Sequence, residues 1–97
     1  MINSKERKVL SGIGQKIQPI FQIGKNGITD TLVKEIGEAL QARELIKISV
    51  LNNSDISARE ASDLLCEKLS ADGVSCIGSK AVIYRKSSRK DIKHIEF

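Results

Sequence analysis

Apolar positions along this chain switch between a helical and a strand period, and the switches mark out its elements. After Ile28, Thr29 or Asp30 opens a helix in which Leu32, Val33, Ile36, Ala39 and Leu40 fall at offsets 0, 1, 4, 7 and 8, the spacing of one buried stripe. Lys34, Glu35 and Glu38 take its wet side. Gly37 inside that helix costs about 1 kcal/mol relative to alanine, which predicts a close packing contact there. The period then changes to two: in Leu45–Leu51, Ile46, Ile48 and Val50 share one face and Lys47 and Ser49 the other, predicting a strand with one buried side. Asn52-Asn53-Ser54-Asp55 breaks it. Ser57 with Glu60 forms a capping box for a helix of about four turns. Its apolar side is Ala61, Leu64, Leu65, Cys66 and Leu69, with Asp63 and Glu67 outward and Gly73 as its stop.

Upstream, Asn3 or Ser4 with Glu6 caps a first helix through Lys5–Leu10, ended by Gly12 and Gly14. Gly12-Ile13-Gly14 is no dinucleotide fingerprint, because no strand precedes it, Ile17 stands where the third glycine belongs, and Pro19 interrupts the helix. Pro19 leads into Ile20-Phe21-Gln22-Ile23, a short first strand. Downstream, Val74–Ile77 and Ala81–Tyr84 flank Gly78-Ser79, a Gly-first pair that favours a type II′ hairpin. The order α-β-α-β-α-β-β predicts a two-layer α/β domain, with parallel strands joined by right-handed crossovers and one antiparallel strand from the hairpin. Residues 1–86 form this single domain. Residues 87–97 read as a basic, loose tail that only Ile92 and Ile95 are placed to tack down.

A chain of 97 residues holds one such domain, and 40% apolar with 29% charged residues fits a folded globular protein. No stretch is long and apolar enough for a membrane span or a signal peptide, so a cytoplasmic protein is expected. Cys66 and Cys76 lack metal-site spacing and read as buried free thiols. The net charge of +4 is unevenly spread. Residues 1–50 carry eight Lys/Arg against five Asp/Glu, residues 51–79 two against five, and residues 80–97 six against two. Basic ends around an acidic middle suit a molecule that offers one face to a polyanion.

The turn Ile23-Gly24-Lys25-Asn26-Gly27-Ile28-Thr29 lies between the first strand and the second helix. Two glycines three apart permit positive φ and close backbone approach, Thr29 can cap the helix, and Lys25 adds a cation beside the positive helix start. Such a seat suits phosphate, and KH-like RNA-binding folds clamp a nucleic-acid backbone with a Gly-x-x-Gly loop. An ordinary strand-to-helix turn would use the same residues.

Pro19 before an apolar strand, Gly24-Lys25-Asn26-Gly27-Ile28-Thr29, Glu44-Leu45-Ile46-Lys47-Ile48, and Ile77-Gly78 followed by Val82-Ile83-Tyr84-Arg85, in this order, resemble the CRM domain. This is the chloroplast RNA splicing and ribosome maturation domain, and the chain looks like its stand-alone bacterial, YhbY-type form, with the resemblance covering roughly Ser4 to Arg85. The resemblance implies a four-stranded mixed sheet with helices packed on it, similar to the C-terminal domain of bacterial translation initiation factor three. It implies RNA binding through Gly24, Lys25, Asn26 and Gly27 and association with large-subunit precursors. Gly12–Gln18 departs from the family pattern, with two glycines where a more helical, basic segment is expected.

Phe21, Tyr84 and Phe97 are the only aromatics, too few for a base-stacking platform, so recognition must lean on backbone and shape. Thr29 at the loop, Lys5, Arg7, Lys8 and Lys16 in the first segment, and Lys47, Arg85 and Lys86 further on are the candidates for a basic surface around it. Each could equally belong to a solvated face. An enzyme is disfavoured: His94 is the only histidine and sits in the expected tail, and Asp55, Glu60, Asp63 and Glu67 have the spacing of a wet helix face. Nucleotide binding at the loop lacks the Walker spacing, and a protein-interaction module is the remaining alternative. The expectation is a monomeric RNA-binding protein, with ribosomal RNA as partner and with no metal, organic cofactor, small-molecule substrate or membrane.

Overall fold

A computed structural model describes residues 1–96; Phe97, the end of the expected tail, lies outside the described residues. Seven elements follow in order: α1 (Ser4–Gly14), β1 (Phe21–Ile23), α2 (Asp30–Arg43), β2 (Leu45–Val50), α3 (Ala58–Leu69), β3 (Asp72–Ile77) and β4 (Lys80–Tyr84). Side chains cap all three helix starts, supplying partners for amides that the helix itself leaves orphaned. The Asn3 side chain accepts from the Glu6 amide at 2.8 Å while the Glu6 carboxylate accepts from the Asn3 amide at 3.0 Å. Ser57 and Glu60 exchange the same pair of bonds, and the Thr29 hydroxyl accepts from the Leu32 amide at 3.1 Å. Gly12 does not stop α1, which runs on to Gly14. Nor does Gly73 stop α3: Ser70, left-handed at φ 54, caps it, and Gly73 belongs to β3.

The sheet order is β1-β2-β4-β3. β1 lies parallel to β2, with Phe21 opposite Ile48 and Ile23 opposite Val50. β4 is antiparallel to both neighbours, so the hairpin inserts it between β2 and β3, and the crossover through α3 passes over it. Gly78 has φ +59 while Ser79 has no positive φ, as a type II′ turn requires.

The α/β class, element order and mixed four-stranded sheet are as expected, but the helices divide between both faces of the sheet. On one side α2 and α3 bury Ile36, Leu40, Ala61 and Leu65 against Ile23, Ile46, Ile48 and Ile83. On the other, α1 brings Leu10 onto Leu45, Val74, Val82 and Tyr84. The side of β2 that carries Lys47 and Ser49, expected to be wet, is therefore covered over its lower part. Leu64, expected on the buried stripe of α3, is instead 40% exposed, and Ser62 takes the inward position.

The expected loose tail is fastened down as far as Ile95. The Ser87 amide donates to the Glu44 carboxylate at 2.7 Å and the Ser87 hydroxyl to the Gln41 carbonyl at 2.6 Å. The Ile95 amide and the His94 ring reach the same carboxylate at 2.7 Å each, and Ile95 packs on the α1-side core.

Candidate nucleic-acid interface

β1 and β2 end side by side, and the loops that leave them form the upper end of the molecule. The Gly27 amide donates to the Gly24 carbonyl at 3.0 Å, closing a tight turn with Lys25 and Asn26 exposed at its tip. Gly27 has φ +66, a conformation that side chains resist. Gly24 is needed for a different reason: a Cβ there would lie 3.3 Å from Asn53 Oδ1 and 3.5 Å from Leu51 Cδ1, pushing against the loop that follows β2. The Leu51 amide donates to the Ile23 carbonyl at 2.8 Å and ties the two loops together. Asn53 and Leu51 thus belong to the site, although the sequence marks them only as the end of a strand.

Thr29 is exposed and spends its hydroxyl on the Leu32 amide, which leaves the other first-turn amides of α2 without intrahelical partners at the positive end of the helix. Asp30 opens that helix, so the loop carries one cation, Lys25, against one carboxylate. Stronger positive charge has to come from nearby.

The other expected basic residues do not gather around the loop. Lys47 is half-buried on the α1 side of β2, towards the upper end. Lys5 and Lys8 lie on the first half of α1, and Arg7 beside them donates from Nε to the Gly73 carbonyl at the start of β3, 3.0 Å away. Lys86 lies past the end of β4 with Met1, Ile2 and Glu6, at the lower end of the sheet. Lys16 follows the end of α1.

Arg85 is withdrawn from the candidate surface. Its guanidinium donates to the Leu69 carbonyl at 2.9 Å and the Gly37 carbonyl at 3.0 Å, stapling the end of α3 to the middle of α2. A Cβ on Gly37 would lie 3.2 Å from Leu69 Cδ2, the close contact that its place in the helix foretold.

Catalytic groupings are not assembled at the loop. His94 pairs with Glu44 and is no partner of Cys66 or Cys76, which are free and half-buried. Burial pushes the Cys66 thiol above its ordinary range, away from nucleophilic reactivity. Among the described residues, no group of three or more His, Cys, Asp or Glu is placed to hold a metal ion, and no helix is long and apolar enough to cross a membrane.

Comparison with known proteins agrees with the resemblance. The family model described as the CRS1/YhbY (CRM) domain matches residues 2–85. The chain is 38% identical over 96 residues to a Bacillus subtilis protein named "Probable RNA-binding protein YqeI", covering 99% of this chain and 98% of that one. It is 30% identical over 88 residues to the Pseudomonas aeruginosa "Probable RNA-binding protein PA4753", covering 91% and 85% of the two. A solution structure of a hypothetical Staphylococcus aureus protein, 40% identical, superposes with a TM-score of 0.78 over 98% of this chain and 100% of that one.

Proposed function

Because the chain belongs to the CRS1/YhbY (CRM) domain family, we propose that it binds RNA, and that its target is ribosomal RNA in precursors of the large subunit during assembly. The observation that carries this reading is the Gly24–Gly27 turn. Its exposed tip presents Lys25 and Asn26 beside the amides that open α2, and its two glycines let the chain turn tightly there, Gly27 by its positive φ and Gly24 by making room for the loop after β2. The names of the relatives support RNA as the ligand. The protein acts as a cytoplasmic monomer, through binding rather than catalysis, and without metal, organic cofactor, small-molecule substrate or membrane. With Phe21 and Tyr84 both turned towards the cores, it reads backbone and shape in place of stacked bases.

Lys25→Asp with Asn26→Asp places two negative charges where phosphate must sit, on side chains that hold no part of the fold. Affinity for a large-subunit ribosomal RNA fragment should fall tenfold or more with an unchanged melting temperature, whereas Lys90→Asp in the tail should bind as the parent does. Crosslinking in cells followed by sequencing should return large-subunit RNA from the parent and lose it from the loop variant. Equal recovery from both would reduce Gly24–Gly27 to a turn, and recovery of other RNA classes by the parent would refute the ribosomal target.

A further inference from the structure

Helix α1 covers only the lower part of its side of the sheet. It ends at Gly14, which lies so close above β4 that a Cβ there would be 3.0 Å from Val82 Cγ1. Beyond that point, strand register sets one row of residues across all four strands: Gln22 on β1, Ser49 on β2, Lys80 on β4 and Ile77 on β3. The row beneath it carries Lys47, Val82 and Ser75. Because side chains alternate along a strand, all of these share the α1 side. Between the end of α1 and these rows lies a hollow of about 160 Å³, lined by Gly14, Gln15, Lys47, Ser75, Ile77 and Lys80 among others.

The lining has two features that a merely solvated surface does not need. Lys47 is half-buried, yet the two ion pairs among the described residues are Arg89–Asp91 and Glu44–His94, so no carboxylate neutralises it. Its stem lies along the sheet while its ammonium has no acidic partner, which leaves that charge for a ligand. Ile77 is 60% exposed, an apolar patch directly across from Lys80. Two lysines with no acid in the lining call for an anion, and Ile77 with the Val82 floor calls for something flat and apolar attached to it. Gln15 and Ser75 add hydrogen-bonding groups at the rim.

We propose that this hollow is a second RNA contact, which takes one unstacked nucleotide of a single-stranded segment, its phosphate on Lys47 and Lys80 and its base against Ile77. The proposal rests on the RNA-binding reading above and extends it from the loop to the sheet. Geometry links the two places: Gln22 begins the row and Gly24 begins the turn at the upper edge of the sheet, so a strand seated on the turn reaches Lys80 by passing over that edge onto the α1 side and crossing two strand spacings of about 5 Å each. This supplies the positive charge that the loop, with Lys25 offset by Asp30, lacks.

The test compares the parent with Lys80→Glu, Ile77→Ala and a control, Lys68→Glu on α3. Each is titrated against a 12-nucleotide single-stranded RNA and a fully paired RNA duplex at fixed low salt. Lys80→Glu should weaken single-strand binding tenfold or more and Ile77→Ala threefold or more. The control should be unchanged, the duplex should be little affected, and melting temperatures should match. A 4-thiouridine-substituted strand should crosslink within residues 75–82. Parent-like single-strand binding by both hollow variants, with the loop variant still defective, would overturn the hollow and leave the loop reading intact. Failure of the parent to bind either RNA would remove both. Retention of the protein on ribosomal particles through Ile77 without RNA binding would assign the hollow to a protein partner and likewise overturn the proposal.

Discussion

Glu44 is a buried carboxylate that fastens the C-terminal segment to the end of α2. It closes α2 at φ 66 and ψ −38, a sparsely populated positive-φ conformation of a kind that costs a non-glycine residue roughly 1–3 kcal/mol, and its side chain is fully buried. Three bonds of 2.7 Å from the Ser87 amide, the Ile95 amide and the His94 ring hold it there. Burial pushes the carboxyl's pKa up, but the His94 bond and the two backbone amides outweigh burial and keep it below the ordinary carboxylate value. A depressed pKa stabilises the fold above the unfolded-state value, about 4.3, and that contribution is lost as pH falls through the folded value. Glu44→Gln should therefore cost about 1–3 kcal/mol at pH 7 and flatten the loss of stability expected of the parent on acidification below about pH 5. Urea unfolding at pH 7 and pH 4, with amide exchange at Ser87 and Ile95, checks both; parent-like acid sensitivity in the variant would place the responsible carboxylate elsewhere. The partners of Glu44 lie 43, 50 and 51 residues away, so nothing local in the sequence announces them.

At the scale of elements, helix α2 is the part most legible from spacing alone. Ile36 and Leu40 are fully buried and Leu32, Val33 and Ala39 half-buried around them, while Glu38 faces water. Ile36→Ala should cost about 2–5 kcal/mol and Glu38→Ala within about 0.5 kcal/mol, read by thermal or urea unfolding. Similar costs would mean that the helix is rotated from its described position. The seam between α2 and α3 was only half legible. A glycine at position 37 signals close approach, but the Arg85 staple across that seam joins three elements far apart in sequence. Leu64 misled because its offset fits the stripe of α3, and only the packing of the helix on the sheet decides that Ser62 turns inward instead.

For the whole molecule, basic residues of both chain ends do not converge on one patch. Lys25, Lys47 and Lys80 lie towards the upper end, whereas Lys5, Lys8 and Lys86 lie towards the lower. An RNA seated on the upper end would contact a small number of cations. With about four phosphate contacts the log–log slope of affinity against salt should be near −3, a fall of nearly three decades for a tenfold rise in salt. Titrations between 20 and 200 mM salt measure it, on the order of the range where such slopes are linear. An affinity that hardly changes would remove the electrostatic basis of the proposed interface.

The sequence by itself determined the class of fold, the seven elements, the hairpin and the loop with its two glycines, because periodicity, caps and turn chemistry are properties of neighbours in the chain. It also carried the family, since ordered motifs along a chain survive without reference to their contacts. Only the tertiary structure decided that α1 lies across the sheet from α2 and α3, since the sign of a face is invisible in a period of two. The same holds for the tail's anchorage on Glu44, for the diversion of Arg85 into the helix seam, and for the row that brings Lys80 and Ile77 beside Lys47. Each depends on which residues the sheet register and helix packing bring together across long separations, and one-dimensional spacing contains no term for that.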